Sequence, residues 1–356
     1  MALPPEAALR RILEAGIRAP SAENRHYLQL RPSADGVELI STDVATWADR
    51  PHRRLLALLS YGAVVENMAL RSADLGWALE PAWVPAPGRP ELIAALAWHA
   101  APPRADPLAA AIDARHTNRR FYRREALPTS ALDRLAAAAA ALPGCRVLWL
   151  DDGPRRREAL HVLRIAESER FRRRALHEEL FGAVRFEVGW QCSTPEGLPP
   201  GALEVEPPMR PGFAALRHWP LMRAAGALGA PLLLGLRAAW LPCRLAPHLG
   251  VVLSDGPPDR LELDAGRALE RTWLAATALE LAFQPMAAPI ALERQLPGGG
   301  WVSPAVRERL GAGLEHIAAG TGARPCMFFR LGRAAPPSVA TQRQPLEAYE
   351  AGGAAT

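Results

Sequence analysis

The sequence contains one helix–strand pattern twice at a constant spacing, and this repeat constrains the fold more than any other feature. A predicted helix over residues 51–76 and a predicted strand over 78–84 match a second unit, in which Gly266 stands at an offset of 204 from Gly62. The matched pairs are Gly62/Gly266, Glu66/Glu270, Leu70/Leu274, Leu75/Leu279, Ala78/Ala282, Pro81/Pro285 and Pro85/Pro289. Shared composition is one explanation, since Ala and Leu match easily in this chain. The paired Gly, Glu and Pro residues favour an internal duplication, in which two long helices pack about a pseudo-two-fold axis.

Periodicity and turn residues predict further elements on both sides of the repeat. Residues 6–18 have one apolar face and precede Pro20, which predicts a helix. Residues 27–30 and 37–41 flank a turn and predict a hairpin. Later in the chain we predict a helix over 130–141, a strand over 146–150 and a helical region over 155–186. The fold class that we expect is therefore α+β, with mostly antiparallel sheets flanked by helices.

The basic residues of this chain are all arginines, since the sequence has no lysine. Schiff-base catalysis and the lysine-dependent phosphate loop are excluded, so any phosphate must be held by arginine or backbone. The formal net charge is +5 and the isoelectric point about 9.5. Because the arginines are interspersed with acids, we expect no nucleic-acid partner. Motifs of α/β-hydrolases, zinc proteases and dinucleotide-binding folds are missing from the sequence.

Cysteine spacing and hydropathy bear on the compartment. Cys145, Cys192, Cys243 and Cys326 are far apart, which predicts neither a metal site nor a disulfide framework and fits a reducing cytoplasm. The N-terminus lacks the pattern of a secretory signal. The longest apolar stretch, residues 224–236, is too short to span a bilayer, so we expect no membrane partner.

The run Arg115-His116-Thr117-Asn118-Arg119 is the strongest candidate for a binding site. Arginines on both sides of a hydroxyl can converge on one phosphate, with bidentate guanidinium contacts and a hydroxyl for a remaining oxygen. From spacing alone, a solvated basic stretch explains the run equally well.

The run resembles the phosphate-binding motif of the FMN-dependent nitroreductase family, Arg-x-Ser/Thr-x-Lys/Arg followed by Phe. The resemblance implies that Arg115, His116, Thr117 and Arg119 contact FMN. Two other segments and one C-terminal arginine resemble further family features. In a Pro-Ser-x-x-Asn loop, the resemblance assigns four residues to FMN contacts: Pro20, Ser21, Ala22 and Asn24. In the segment whose backbone approaches flavin N5 it assigns Pro285, Met286, Ala287 and Ala288. At the phosphate it assigns Arg343. The family's usual Gln-Pro-Trp and Glu-Gly are absent from this chain.

The order of these motifs implies a single asymmetric site. In the family, the phosphate motif of one subunit faces the loop of its partner. Here the loop stands only before the first repeat and the arginine motif only before the second. This order resembles the Acg-like branch, in which one chain mimics the homodimer. We therefore expect one FMN per chain, in a monomer or a weak homodimer.

The expected domains follow from the same comparison. Residues 1–99 form an incomplete first half, and residues 107–186 and 256–349 form a second half with the phosphate site. Residues 187–255 are an insertion without clean periodicity, whose tryptophans favour an ordered lid.

The resemblance implies a function in which flavin N5 performs the chemistry, so no catalytic side chain is required. The first expectation is a cytoplasmic flavoprotein oxidoreductase that passes electrons from NADH or NADPH to a small aromatic, nitro or quinone-like substrate. One alternative is a protein that stores FMN beneath its lid with little turnover. Another is a biosynthetic flavoenzyme that acts on a bound peptide or on reduced flavin.

Overall fold

The computed structural model, which describes residues 3–84, 88–296 and 301–350, contains two four-stranded antiparallel sheets with the same strand order. The elements of the first half are α1 (Glu6–Ile17), β1 (Leu28–Pro32), β2 (Val37–Ser41), α2 (Pro51–Asp74), β3 (Trp77–Trp83) and β4 (Leu92–Ala100). Their sheet has the order β1-β2-β4-β3. A short helix, α3 (Pro107–Ala111), then leads towards the second half.

The second half repeats this topology with additions. Its elements are α4 (Thr129–Ala140), β5 (Cys145–Trp149), α5 (Gly153–Arg172), α6 (Arg174–Ala183), α7 (Arg210–Ala215), α8 (Trp219–Gly226), α9 (Ala230–Gly235), α10 (Leu241–Leu245), β6 (His248–Ser254), α11 (Leu261–Ala278), β7 (Ala282–Met286), α12 (Ala288–Glu293), α13 (Pro304–Ala318) and β8 (Arg324–Gly332). The sheet order is β5-β6-β8-β7, which matches the first sheet strand for strand. The expected α+β class and the internal duplication are confirmed.

The two halves meet where α2 crosses α11, and the paired glycines of the repeat lie at this crossing. A Cβ atom on Gly62 would lie 2.0 Å from the backbone oxygen of Leu263, and one on Gly266 would lie 2.0 Å from that of Leu59. Leu59 and Leu263 are themselves equivalent in the repeat, and each packs into the hydrophobic core of the opposite half. Glycine is required at both positions because the helix backbones touch there. Pro85, one member of the last repeat pair, lies outside the described residues.

The expected bounds of the insertion need correction. The expected range, 187–255, includes His248–Ser254, which the structure places as β6 inside the second sheet. The connection that enlarges the second half runs from residue 150 to residue 247, because α5 to α10 all lie between β5 and β6. In the first half the equivalent strands, β1 and β2, are joined by a tight turn. We call residues 150–247 the insertion below.

Burial explains why β6 is missing from the sequence prediction. All seven of its residues are buried. A strand buried on both faces has no alternation of polar and apolar residues, so periodicity cannot separate it from its surroundings.

Candidate functional site

A cleft between the two halves brings together most of the residues that the sequence analysis assigned to the FMN site. Those lining it are Pro20, Ser21, Asn24, Arg115, His116, Thr117, Arg119 and Arg343. The loop between α1 and β1 forms one wall, and the arginine run after α3 forms the other. Residues far apart in the sequence therefore face one another across a single space.

Asn118 fixes the arginine run to the second sheet. Its backbone N–H donates to the carbonyl of Phe283 in β7 at 2.9 Å, and its side-chain amide donates to the carbonyl of Ala335 at 2.8 Å. The hydroxyl of Tyr122 donates to the Asn118 carbonyl at 2.7 Å. These bonds turn Asn118 away from the cleft and leave its neighbours along the run facing it.

Arg115 is buried and its charge is already balanced. Its Nε lies 3.1 Å from a carboxylate oxygen of Glu270, a residue of α11 that is fully buried. The two atoms are close without the alignment of a hydrogen bond, so this contact is an ion pair. The guanidinium also lies 4.4 Å from the ring centre of Trp273 and donates to the Arg18 carbonyl at 2.7 Å. Burial raises the pKa of Glu270 to about 7, while Arg115 opposes the rise.

Arg119 and Arg343 supply the uncompensated positive charge of the cleft. Within residues 3–84, 88–296 and 301–350, neither forms an ion pair. Arg119 donates to the Ala202 carbonyl at 3.2 Å. Burial and the nearby Arg330 lower the pKa of Arg119 to about 10, and burial and Arg115 lower that of Arg343 to about 9. Both remain protonated at neutral pH, so the cleft attracts anions.

The loop wall is held in an unusual conformation. Glu23 and Asn24 both have positive φ angles, 55° and 57°, which non-glycine residues rarely adopt. Arg343 holds the loop by donating to the Ala19 carbonyl at 2.8 Å and to the side-chain oxygen of Asn24. The hydroxyl of Ser21 is buried and has no hydrogen-bond partner among the described residues. A buried hydroxyl without a partner is costly unless a ligand satisfies it.

Some of the expected contacts lie elsewhere. Ala22 belongs to the loop but does not line the cleft, and neither do the four residues at the end of β7 and the start of α12: Pro285, Met286, Ala287 and Ala288. The sulfur of Met286 lies 3.1 Å from that of Cys243 in α10, so this part of the insertion packs where the sequence placed an approach to flavin N5.

The cleft is narrow and partly covered. Its open space is about 90 Å³, within an opening of about 680 Å³ that includes the mouth. A space of about 90 Å³ accommodates a phosphate group but not a flavin ring system. Leu198 and Ala202 from the insertion and Val339 and Thr341 from the C-terminal segment form the cover.

The pseudo-two-fold symmetry of the duplicated fold would give a second, equivalent cleft, but the described residues do not form one. In the first half, residues 18–27 form the loop between α1 and β1. In the second half, α4 reaches β5 through residues 141–144 alone. The equivalent glutamates have also diverged. Glu66 is paired with Arg267 at 2.8 Å and with Arg271 at 2.7 Å, whereas Glu270 contacts Arg115.

Sequence analysis did not identify three charged residues of the cleft. Arg18 and Asp113 both line it and pair with each other at 3.3 Å. Glu23 also lines it, and burial raises its pKa to about 7, opposed by Arg170. Arg18 and Glu23 stand next to and within the Pro-Ser-x-x-Asn loop, and Asp113 stands two residues before Arg115. Position in the sequence alone did not show that these side chains line the cleft.

Comparison with known proteins gives structural similarities only. No protein-family model matches the sequence, and no curated protein matches it. The chain is similar to a nitroreductase with bound FMN from Bacteroides fragilis, with 16% identity, 67% of this chain and 95% of that chain covered, and a TM-score of 0.33. It is also similar to an FMN-dependent nitroreductase from Mycobacterium smegmatis in complex with NADPH, with 16% identity, 64% and 87% covered, and a TM-score of 0.34. A nitroreductase-like family protein from Bacillus cereus shares 12% identity, with 67% and 91% covered and a TM-score of 0.30.

Proposed function

We propose that this chain is an FMN-binding oxidoreductase that takes electrons from NADH or NADPH and passes them to a small aromatic, nitro or quinone-like acceptor. The observation that carries the proposal is the pair of partly buried arginines, Arg119 and Arg343, that share one cleft with three hydroxyl residues and lack carboxylate partners among the described residues. Holding two such charges is costly in the absence of an anion. A phosphate monoester would satisfy them together with Thr117 and Ser21.

The residues of the cleft fit the phosphate end of FMN. Ser21 Oγ is buried, belongs to the cleft and has no hydrogen-bond partner among the described residues. FMN would supply hydride and electron transfer when bound, and the chain would supply binding, positive potential and exclusion of water. Admission of the ring requires displacement of the covering segments, because about 90 Å³ holds only the phosphate. We propose a stoichiometry of one FMN per chain in a monomer, because the duplicated fold builds this cleft from its own two halves.

The same cover supports a second candidate function, the storage of FMN with little turnover. Leu198 and Ala202 on one side and Val339 on the other close the cleft. A cover that remained closed over bound flavin would protect it from acceptors and from nicotinamide.

Cofactor binding is tested by flavin analysis of the purified protein. We expect about one FMN per chain, released on denaturation. The variant Arg119→Gln should lose most of the bound FMN, whereas Arg134→Gln, which removes an exposed arginine of α4, should retain it. A colourless protein that binds no added FMN would overturn the proposal, and so would full FMN retention in Arg119→Gln.

Mixing the FMN-loaded protein with NADPH or NADH without oxygen separates the two candidate functions. Prompt bleaching of the flavin absorbance supports the oxidoreductase. A flavin that only dithionite reduces supports storage and rules the oxidoreductase out.

A further inference from the structure

The exposed apolar side chains of this protein are concentrated in one part of the insertion. Five large apolar residues there are strongly exposed, and we call them the apolar tip. They are Met209 at 63%, Leu221 at 51%, Leu228 at 87%, Leu232 at 36% and Leu233 at 65% exposed. Isolated exposed leucines are ordinary on protein surfaces, but a group confined to one short segment marks an interaction site.

The local geometry leaves the tip with one free face. Helix α8 and the continuous helical segment over residues 230–245 are bent relative to each other by 98°, and Leu228 lies in the turn between them. Met222 and Pro231 on the inner side are buried. Gly235 approaches α5 so closely that a Cβ atom there would lie 2.2 Å from Ser168 Oγ. The inner face therefore packs on the protein and the leucines face outward.

The stretch of sequence that carries the tip has charged residues of one sign. No aspartate or glutamate occurs from residue 207 to residue 254, while the same stretch contains Arg210, Arg217, Arg223, Arg237 and Arg244. Arg237 is balanced by Glu206 at 2.7 Å. Arg223 is exposed on α8 between two residues of the tip and forms no ion pair within the part of the chain that the structure describes. Exposed leucine and arginine without acids are the composition of segments that lie in a membrane interface.

We propose that the apolar tip docks on an anionic phospholipid surface, with its leucines in the acyl boundary and its arginines at the headgroups. No single helix among the described residues is long and apolar enough to cross a bilayer, and the bent pair qualifies only when its two parts are combined. The pair is also packed against the protein along its inner face, so the contact is made from one side. From the sequence we expected no membrane partner, because no apolar stretch is long enough to span a bilayer. A contact made from one side does not require a spanning segment.

A second copy of the chain fits the tip less well than lipid does. In a two-fold symmetric contact the same patch faces itself, so Arg223 and its neighbours would oppose their own copies without acids to balance them. An anionic lipid surface supplies negative charge for Arg223 and for the other arginines of this stretch that form no ion pair among the described residues.

Vesicle sedimentation tests the proposal. We expect the full chain to sediment with phosphatidylcholine vesicles that contain phosphatidylglycerol, and to bind pure phosphatidylcholine vesicles at least about tenfold more weakly, since each arginine near the surface contributes about fivefold. The double variant Leu228→Asp, Leu233→Asp should lose at least about tenfold in binding. The matched control Leu3→Asp, Leu296→Asp changes two leucines of 45% and 46% exposure elsewhere and should bind as the wild type does.

Three results would overturn the proposal. The first is the absence of binding to anionic vesicles, and the second is equal binding by the double variant and the wild type. The third is a concentration-dependent dimer in light scattering that the double variant abolishes and that vesicles do not disrupt, which would assign the tip to a second copy. FMN content should be unchanged in both double variants, so the outcome is independent of the proposed flavin function.

Discussion

Replacement of Arg119 by methionine should stabilise the FMN-free protein and weaken FMN binding. Burial and the nearby Arg330 lower the pKa of Arg119 well below its usual value, to about 10. At roughly 1.4 kcal/mol per pH unit, the folded state holds this charge at a cost of about 3 kcal/mol. The variant also loses one hydrogen bond, to Ala202, which contributes about 1 kcal/mol. The net expectation is a gain of about 1–2 kcal/mol in the free energy of unfolding.

Arg115 provides the opposite case, since its charge is paired with the fully buried Glu270. The variant Arg115→Met leaves that carboxylate without a countercharge, which should cost about 3–5 kcal/mol at pH 8. The double variant Arg115→Met, Glu270→Gln should recover much of this loss. Arg115 and Arg119 face the same cleft. The expected changes in the free energy of unfolding therefore differ in sign because of the partners of the two charges and not because of their position.

The assay for these variants is urea denaturation of FMN-free protein at pH 8, followed by circular dichroism, with FMN affinity measured by quenching of flavin fluorescence. Loss of a charged hydrogen-bond donor should weaken FMN binding by roughly 10- to 100-fold in Arg119→Met. A less stable Arg119→Met protein would refute the assignment of an uncompensated charge. Unchanged FMN affinity would refute the assignment of that charge to the ligand.

Three further predictions concern the helix crossing and the loop. Gly62→Ala should destabilise the protein by about 1–3 kcal/mol in urea denaturation, because the new Cβ atom meets the backbone of the other helix. The control Gly182→Ala places its Cβ atom in open space and should be neutral or stabilising. Equal effects of the two variants would contradict the close packing of α2 on α11. Because the pKa of Glu23 is raised to about 7, the free energy of unfolding should fall as pH rises from about 4.5 to 7. The variant Glu23→Gln should lack about 1–3 kcal/mol of that fall. Parallel pH profiles of the variant and the wild type would exclude a contribution from Glu23. Glu66→Gln should cost about 2–4 kcal/mol, because it leaves Arg267 without a carboxylate and leaves Arg271 with only the more distant Asp106. An unchanged temperature of thermal unfolding would count against it.

The sequence by itself favoured the duplication and predicted about half of the regular elements. Helix α1, the β1–β2 hairpin, α2 and β3 follow local periodicity and turn residues, which act over a few positions. The paired Gly62 and Gly266 supported the duplication, and the sequence predicted that the two long helices pack together, but the structure placed these glycines at the crossing. The arginine run and the Pro-Ser loop were likewise visible as short local patterns.

Only the tertiary structure decided how these pieces act together. It assigned β6 to a sheet, since complete burial removes the alternation that identifies a strand. It also paired Arg115 with Glu270 and left Arg119 without a carboxylate, a difference that the two nearly adjacent arginines do not reveal in sequence. Charge balance in a buried cleft depends on contacts between residues far apart in the chain, and those contacts form only when the two halves pack against each other.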